Sequence, residues 1–530
     1  MKKLIAVLLA ALMCLSVLAA CGGSDGKDTT KASESQAEST KEGESTKEGE
    51  STSQAESSGN PEETYKAQFI MYVANDNWPH MQNVIDAIKE LTKKELNIEA
   101  TGLPYTLGGA AQQVPLMLSA QEPLDIINQT TPVDYYEQGF IIDMAPYEQY
   151  LQGTINDVFG KDEVEASKRN GMLLGFFPRM ERTHRYGMAM RTDILKEVGF
   201  DPETINGDID DAFDKATEIF KAVHEKYPDM TVMGGTYNSN PACNQQHTDS
   251  LTDGYGVLDN YGDNFDVVNF YETDYFKKAA EYAKKWFDAG YIQKDMPTNQ
   301  SDGYESLVKA GNTFGGCCPM KPDSYAEKRD QCNHDMTIFY WREDMITAYN
   351  GSGYAIAGTT RDPVQAARLM EFMFTNREFN DLINWGVEGE DWVENPDNDN
   401  QAMYPEGMTA ETQTYHNSYG WIYPNQRIAH VWENNEPNMY TEIYPNAEKD
   451  SHRTKAYGFI FDNTEYLDLI GALNNIRDQY WYTIGAGAAK DTEATIKTLN
   501  DKMYESGLQT LMDAKQEALD KWCEEHNVSK

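Results

Sequence analysis

The chain is poor in cysteine and in positive charge. Its 530 residues contain 7 cysteines, 45 Lys plus Arg and 86 Asp plus Glu, which gives a formal net charge of −41. Cysteines this sparse, without a repeated spacing, exclude a small disulfide-stapled scaffold. A chain this acidic repels phosphate backbones, so we expect no nucleic-acid partner.

Long apolar runs and internal repeats are also missing. No stretch of about 18 apolar residues follows residue 21, so we expect no further membrane-spanning segment. No period of about 20–50 residues repeats, which excludes a solenoid. Because single cores stop growing at about 250–300 residues, the length predicts more than one domain. The hydrophobic share of 40% is enough to fill such cores.

Catalytic and metal-binding motifs are missing as well. The sequence has no HExxH, CxxC, Walker or GxGxxG pattern, and Gly351-Ser352-Gly353 is not a GxSxG elbow. Cys317 and Cys318 are predicted as buried thiols in a turn, and a disulfide from Cys332 to an unidentified cysteine stays open. The run 397–400 lacks the glycine and glutamate of a calcium loop. We therefore expect no enzyme activity, no metal and no cofactor.

The N-terminus predicts export. Lys2 and Lys3 precede an apolar run, 4–13, that is too short to span a bilayer. Residues 18–21, Leu-Ala-Ala-Cys, resemble the lipobox of bacterial lipoproteins, in which the cysteine is lipidated. We predict a signal peptide over 1–20 and fatty-acyl chains, palmitate among them, on Cys21. Ordinary cleavage at an Ala-x-Ala site is the alternative.

Residues 21–64 are predicted to form a flexible acidic tether. STKEGE occurs at 39–44 and again at 45–50, and no aromatic residue precedes Tyr65. Such a segment has too little apolar surface to offset the entropy of ordering. The functional body therefore starts near residue 65 and lies outside the cytoplasm.

Within the body, strand patterns alternate with helix patterns, which predicts an α/β fold with parallel sheets. The predicted strands are 67–73, 98–103, 124–127, 187–191 and 230–233. The predicted helices include 193–198, 212–225, 275–289, 363–375, 466–482 and 492–525.

Tryptophans provide the strongest signal for a binding site. For any single tryptophan a core position is the commoner case. Several of them among Asn, Asp and Gly indicate a concave site that stacks the apolar faces of sugars. The six that lie beside polar residues near loops or strand ends are Trp78, Trp341, Trp385, Trp392, Trp421 and Trp432.

Four segments, in this order, resemble the extracellular solute-binding lipoproteins of bacterial ABC importers. They are 190–202, 285–292, 360–373 and 386–392. The last, GVEGEDW, is similar to a GIEGxxY motif of a subgroup associated with oligosaccharide uptake that has a helical C-terminal region. Here Trp392 replaces the usual tyrosine.

The resemblance implies a two-lobed, periplasmic-binding-protein-like fold of type II, with hinge strands and an added helical C-terminus. Lobe one would comprise 65–187 plus 345–435, and lobe two would comprise 188–344 plus 436–530. The ligand would lie in the interlobe cleft, and its binding would close the hinge. The chain would be a monomer, lipid-anchored on the outer face of the cell membrane, that delivers its cargo to ABC permease subunits.

The cargo implied is a carbohydrate, most simply an oligosaccharide. An oligopeptide receptor of the same fold, a secreted glycan-processing enzyme and a protein-binding ectodomain stay open as alternatives. For each residue predicted to contact the ligand, the structural alternative is a core aromatic, a turn amide or a helix cap. The predicted contacts are Asn77, Trp78, Asn128, Thr130, Tyr237, Asn238, Trp341, Asn350, Glu388 and Trp421.

Overall fold

Two hydrophobic cores, each built around its own sheet, organise the chain. The first draws its side chains from 67–176 and 354–423, and the second from 186–341 and 456–523. The computed structural model describes residues 63–129, 132–169, 171–206, 209–236, 239, 247–299, 303–322, 324–347 and 353–530.

The strands are β1 (Tyr65–Tyr72), β2 (Ile98–Tyr105), β3 (Ile126–Gln129), β4 (His184–Arg191), β5 (Thr231–Met233), β6 (Val257–Leu258), β7 (Val267–Val268), β8 (Thr313–Met320), β9 (Met336–Ile346), β10 (Gly353–Ile356), β11 (Val393–Asn395), β12 (Asn398–Met403), β13 (Val431–Trp432) and β14 (His452–Arg453). The helices are α1 (Met81–Leu96), α2 (Leu107–Ser119), α3 (Pro132–Glu137), α4 (Lys161–Ser167), α5 (Thr192–Glu197), α6 (Ala212–Lys226), α7 (Asp274–Asp288), α8 (Tyr304–Lys309), α9 (Tyr325–Cys332), α10 (Pro363–Thr375), α11 (Arg377–Trp385), α12 (Tyr444–Asp450), α13 (Leu467–Gly485), α14 (Thr492–Ser506) and α15 (Leu508–Glu525).

The first sheet has the strand order β10-β3-β1-β2. β1 pairs with β2 in parallel from Tyr65↔Ile98 to Tyr72↔Tyr105, and β3 is also parallel to β1. Helix α1 covers this sheet because Val84, Ile85, Ile88 and Leu91 recur at helical spacing and are buried.

The second sheet has the strand order β14-β9-β4-β8-β5. The prediction of purely parallel sheets is wrong in one respect, since each sheet contains one reversed strand. β4 is antiparallel to both of its neighbours, and β10 is antiparallel to β3. The chain arrives at each of these strands from the other lobe. A strand that follows a helix of its own lobe is the pattern that predicts parallel pairing, and neither β4 nor β10 has it.

The chain passes between the two cores three times. The first passage lies between Phe176 and β4, the second between β9 and β10, and the third between Tyr423 and β14. Each passage ends in a strand, β4, β10 or β14, that pairs within the sheet of the lobe it enters.

The C-terminal helices complete the second core. Leu473, Leu499 and Leu519, from α13, α14 and α15, lie in the same core as Met188 of β4. The helix predicted over 492–525 is divided at Gly507, whose φ of +112° caps α14 in the left-handed region that glycine favours. The C-terminal region is therefore part of lobe two's packing.

The vicinal thiols lie on a strand and not in the turn predicted for them. Cys317 and Cys318 belong to β8, where Cys317 is buried in the second core and Cys318 contacts the hydroxyl of Tyr304 at 3.1 Å. Among the described residues the cysteines are all free, Cys332 and Cys523 included. Burial raises the pKa of Cys332 to about 12, so this thiol is protonated and inert.

None of the helices in the described ranges has the length and apolar content that crossing a bilayer requires. Within the same ranges, no group of three or more His, Cys, Asp or Glu side chains is placed to hold a metal ion.

Candidate functional site: the interlobe cleft

A cavity of about 1060 Å³ lies between the two lobes. One wall comes from 309–335, the region around helix α9 that packs with lobe two. The other wall comes from 384–444, the segment that follows α11. Because the walls belong to different parts of the chain, a molecule in this cavity contacts both lobes at once.

Four rings form what we call the aromatic pocket: Trp385, Tyr404, His416 and Trp432. The centroid of the His416 ring lies 5.0 Å from that of Trp385 and 4.2 Å from that of Trp432. Tyr404 packs edge-on against Trp432 at 4.7 Å, and its hydroxyl donates to Gln413 at 2.5 Å. Trp385 and Trp432 are 5% and 7% exposed and form a small core with Trp392 and Ala402, whereas Tyr404 and His416 are half-buried. A ligand in the cavity therefore meets the polar edges of Tyr404 and His416 against an apolar support.

A buried charge network fixes the position of Trp385. Its indole N–H donates to the carbonyl of His430 at 3.0 Å. The backbone N–H of His430 in turn donates to Asp381 at 2.7 Å, and its ring Nδ1 lies 2.9 Å from the same carboxylate. Asp381 is on α11, one turn before Trp385, so the helix and the loop before β13 hold the indole between them.

Trp421 is the exposed aromatic side chain of this wall. It is 43% exposed and lies beside Tyr419, with ring centroids 5.8 Å apart. The loop that carries both rings is tied to β1 underneath, since Asn417 donates to the carbonyl of Tyr72 at 2.9 Å and accepts from the N–H of Ala74 at 2.7 Å. An exposed ring on a fixed loop is preorganised for stacking.

The opposite wall is charged but largely self-neutralised. Lys321 pairs with Glu327 at 2.5 Å, and Lys328 pairs with the same carboxylate at 3.1 Å. Burial would raise the pKa of Glu327, but the two lysines outweigh it and lower that pKa to about 2. Asp330 accepts a hydrogen bond from Asn434 at 2.6 Å, a contact that joins the two walls directly.

A group of side chains that does not line the cavity connects the first and third passages of the chain. Arg427 donates to the carbonyl of Met180 from Nε at 3.1 Å and from Nη2 at 2.7 Å, and it pairs with Glu448. Glu448 also accepts from the backbone N–H of Arg182 at 3.0 Å. Burial opposes ionisation of Glu448, yet the hydrogen bond and charge of Arg427 lower its pKa overall.

The GVEGEDW segment is a structural turn behind the site. The buried carboxylate of Asp391 accepts from the N–H of Val387 at 2.9 Å and from Thr414 at 2.6 Å, and lies 2.8 Å from Nδ1 of His80. Gly386, with φ of +95°, leaves room for that carboxylate, which lies 2.5 Å from where a Cβ would stand. The segment ties α1, α11 and the 414 loop together.

Of the predicted ligand contacts in the described ranges, Trp421 lines the cavity. Asn77 is exposed and bonded to Asp76 at 2.6 Å, whereas Glu388 is exposed in the turn just described. Trp78 packs on Tyr415 at 6.0 Å, and Asn128 of β3 donates to the carbonyl of Ile422 at 3.4 Å. Thr130, Tyr237, Asn238, Asn350 and the lipidation site Cys21 lie outside the described residues.

The structure places Trp341 in the second core. It is 3% exposed, and its ring packs on Tyr186, Phe213 and Phe339 at 5.8–6.4 Å between centroids. Of the two predictions for Trp341, a ligand contact or a core aromatic, the core position is the one found, because β9 directs its side chain into the lobe and away from the cleft.

Sequence reasoning did not select the charged wall, Tyr404 or His416. Trp385 and Trp432 were among the six tryptophans with polar neighbours, and that pattern is the signal that could have placed them in the site. The charged side chains of 321–335 carried no such signal, because 86 acidic residues make local acidic clusters common in this chain.

Two sequence comparisons bear on this cleft. Residues 455–524 match a family described as a domain of unknown function (DUF3502). Over 441 residues the chain is 20% identical to a protein of Streptococcus pneumoniae serotype 4 called a carbohydrate ABC transporter substrate-binding protein. That alignment covers 81% of this chain and 84% of the relative.

The fold is that of the two-lobed solute-binding proteins. The N-glycan transport solute-binding protein NgtS of S. pneumoniae superposes with a TM-score of 0.72 and 18% identity over 87% of this chain and 99% of that one. Its complex with Man5GlcNAc gives 0.69 and 18% over the same shares. FusA of S. pneumoniae with kestose gives 0.59 and 13% over 86% and 99%. The predicted fold class and the predicted resemblance are confirmed.

Proposed function

We propose that the chain captures an oligosaccharide in the interlobe cleft and delivers it to an ABC permease. The observation that carries the proposal is the exposed ring of Trp421, which lies with the aromatic pocket in a cavity bounded by both lobes of a solute-binding fold. The relatives support it, since one is a carbohydrate-transporter binding protein and others are solved with glycans.

The lining of the cleft suits several sugar rings. Its volume of about 1060 Å³ reaches the upper end of the roughly 300–1,000 Å³ that pockets for drug-sized ligands occupy. Trp421 supplies a face for stacking, and the half-buried amides of Gln413 and Asn435 line the same cavity with polar groups. Sugar rings offer the same combination of apolar faces and hydroxyl edges.

Binding is proposed to occur without turnover, at the outer face of the cell membrane. The sequence of the lipobox supports a signal peptide over 1–20, lipidation of Cys21 and a tether to residue 64. We further propose that the protein is a monomer whose lobes follow the predicted boundaries, 65–187 plus 345–435 and 188–344 plus 436–530, except that β4 and β9 belong wholly to lobe two. Asn77, Trp78, Asn128, Thr130, Tyr237, Asn238, Asn350 and Glu388 stay predicted ligand contacts.

Calorimetric titration of the full chain tests the proposal. The ligands are Man5GlcNAc, Man1GlcNAc, kestose and a mixed tetrapeptide library, with chromatography of each sample to detect cleavage. We expect saturable binding of a glycan and no new product. Binding of peptides alone would favour a peptide receptor, and a cleaved glycan would establish an enzyme.

A pair of variants locates the binding in the cleft. Trp421→Ala removes the stacking face and is expected to weaken glycan binding at least tenfold. Tyr136→Ala, on α3, removes another exposed aromatic ring, 37% exposed, that does not line the cavity, and should leave the affinity unchanged. Equal effects of the two variants would move the binding site away from the cleft.

A further inference from the structure

His416 is the one titratable ring within the aromatic pocket whose polar atoms lack an explained role. It lines the interlobe cavity and contacts Trp385 and Trp432, whose own ring centroids lie 5.0 Å apart. Its Nδ1 is buried, and no donor or acceptor among the described residues reaches it. A buried polar atom without a hydrogen bond costs roughly 1–3 kcal/mol, so such an atom next to a cavity indicates a partner that arrives with the ligand.

The surroundings keep this imidazole neutral. Burial lowers the pKa of His416 to about 4. The titratable groups on the elements around it are Tyr404 after β12, Glu433 after β13 and Asp381 on α11. Burial raises the pKa of Tyr404 to about 12, and Asp381 is engaged by His430. Burial alone accounts for the lowered pKa of His416, so no charge on these groups stabilises the imidazolium.

A neutral imidazole has one N–H donor and one acceptor nitrogen. A hydroxyl also donates and accepts, so it can meet either ring nitrogen in either tautomer. A carboxylate accepts only and an ammonium donates only, so each satisfies half of this capacity. The two indoles pack against the imidazole and against each other, so this part of the ring's surroundings is apolar.

We propose that His416 is a ligand-binding residue that hydrogen-bonds a hydroxyl of the sugar ring held in the aromatic pocket. The inference rests on the proposed function and names a specificity-determining contact within that site. Since a site built to hydrogen-bond a hydroxyl strongly rejects the analogue that lacks it, His416 would select for the hydroxyl pattern of one sugar.

Titration of the full chain with Man5GlcNAc tests the assignment. His416→Phe keeps a flat ring but removes both nitrogens, and we expect the affinity to fall about tenfold or more. His416→Asn restores a donor and an acceptor near the position of Nδ1 and should recover most of that loss. His526→Phe serves as the matched control, since His526 is exposed and stacks on Trp522, away from the cleft.

The pH profile separates ligand contact from a packing role. Where the sugar hydroxyl donates to the unprotonated ring nitrogen, protonation removes that acceptor, so wild-type affinity should be constant from pH 7 to 5 and fall as the pH approaches 4. His416→Asn shares every other titrating group and should show a flatter profile. Circular dichroism at each pH confirms that the variants are folded.

The outcomes are distinguishable. If the wild type binds none of the glycans named above, the proposed function fails and this inference fails with it. If the wild type binds and His416→Phe binds equally well, the inference alone is overturned. A loss in His416→Phe that His416→Asn does not recover, with matching pH profiles, would assign His416 a packing role and also overturn it.

Discussion

Trp341 and Trp421 show how one residue type serves two purposes in this chain. Both have polar neighbours in the sequence, yet one is 3% exposed and the other 43%. The difference comes from the backbone that carries them, since Trp341 is on a central strand and Trp421 is in a short 3-10 turn. Neighbouring residue types could not distinguish them, because strand direction and sheet position are tertiary properties.

This contrast predicts opposite effects for matched truncations. Trp341→Ala should lower the free energy of unfolding by about 3–5 kcal/mol, the usual cost of removing a buried large aromatic side chain. Trp421→Ala should lower it by less than about 1 kcal/mol, because little buried area is lost. Urea denaturation followed by circular dichroism measures both. A larger stability loss for Trp421→Ala would contradict its assignment to the cleft surface.

At the scale of elements, periodicity predicted most helices and the strands of the first sheet. Helices α1, α6 and α10 are found where apolar residues recur at helical spacing. Periodicity could not predict that β4 and β10 pair antiparallel with their neighbours, because pairing direction depends on how the chain re-enters a lobe. The break at Gly507 was missed because the apolar spacing continues on both sides of it.

The break predicts a contrast between two glycines of the C-terminal helices. Gly507→Ala should lower the free energy of unfolding by about 1–2 kcal/mol, because its φ of +112° is unfavourable for an L-residue. Gly471→Ala, inside α13 with nothing within 4 Å of its added Cβ, should raise stability by roughly 0.5–1 kcal/mol. Thermal unfolding of the two variants measures the difference, and a shift in the same direction for both would show that α14 and α15 are not divided there.

For the whole molecule, the cleft is bounded by two separately cored lobes. Its walls touch directly through the hydrogen bond from Asn434 to Asp330, and Arg427 with Glu448 joins the first and third passages. The length predicted more than one domain, but the division into two discontinuous lobes came from the resemblance, because no composition shift marks the points where the chain changes core. The three passages together determine how the lobes face each other, and therefore which side chains meet across the cleft.

This arrangement predicts that ligand binding brings the lobes closer together. Small-angle X-ray scattering of the full chain should show a smaller radius of gyration with saturating Man5GlcNAc than without it, since the ligand contacts both walls. A sugar that gives no heat in titration is the control and should leave the scattering unchanged. Tight binding without any change in the radius of gyration would mean that the lobes are already closed before the ligand arrives.

The contribution of α13–α15 to the second core has a consequence for how the protein is made. The strands β4, β5, β8 and β9 have all been synthesised by Ile346, but their core also needs side chains as late as Cys523. At about 5–20 residues per second, a ribosome takes roughly 10–35 s to add the roughly 180 residues between them. Lobe one, whose core ends at Tyr423, can fold while the rest is still being made. Lobe two must wait for the end of translation, so its apolar strands are the part of the nascent chain most in need of protection by chaperones.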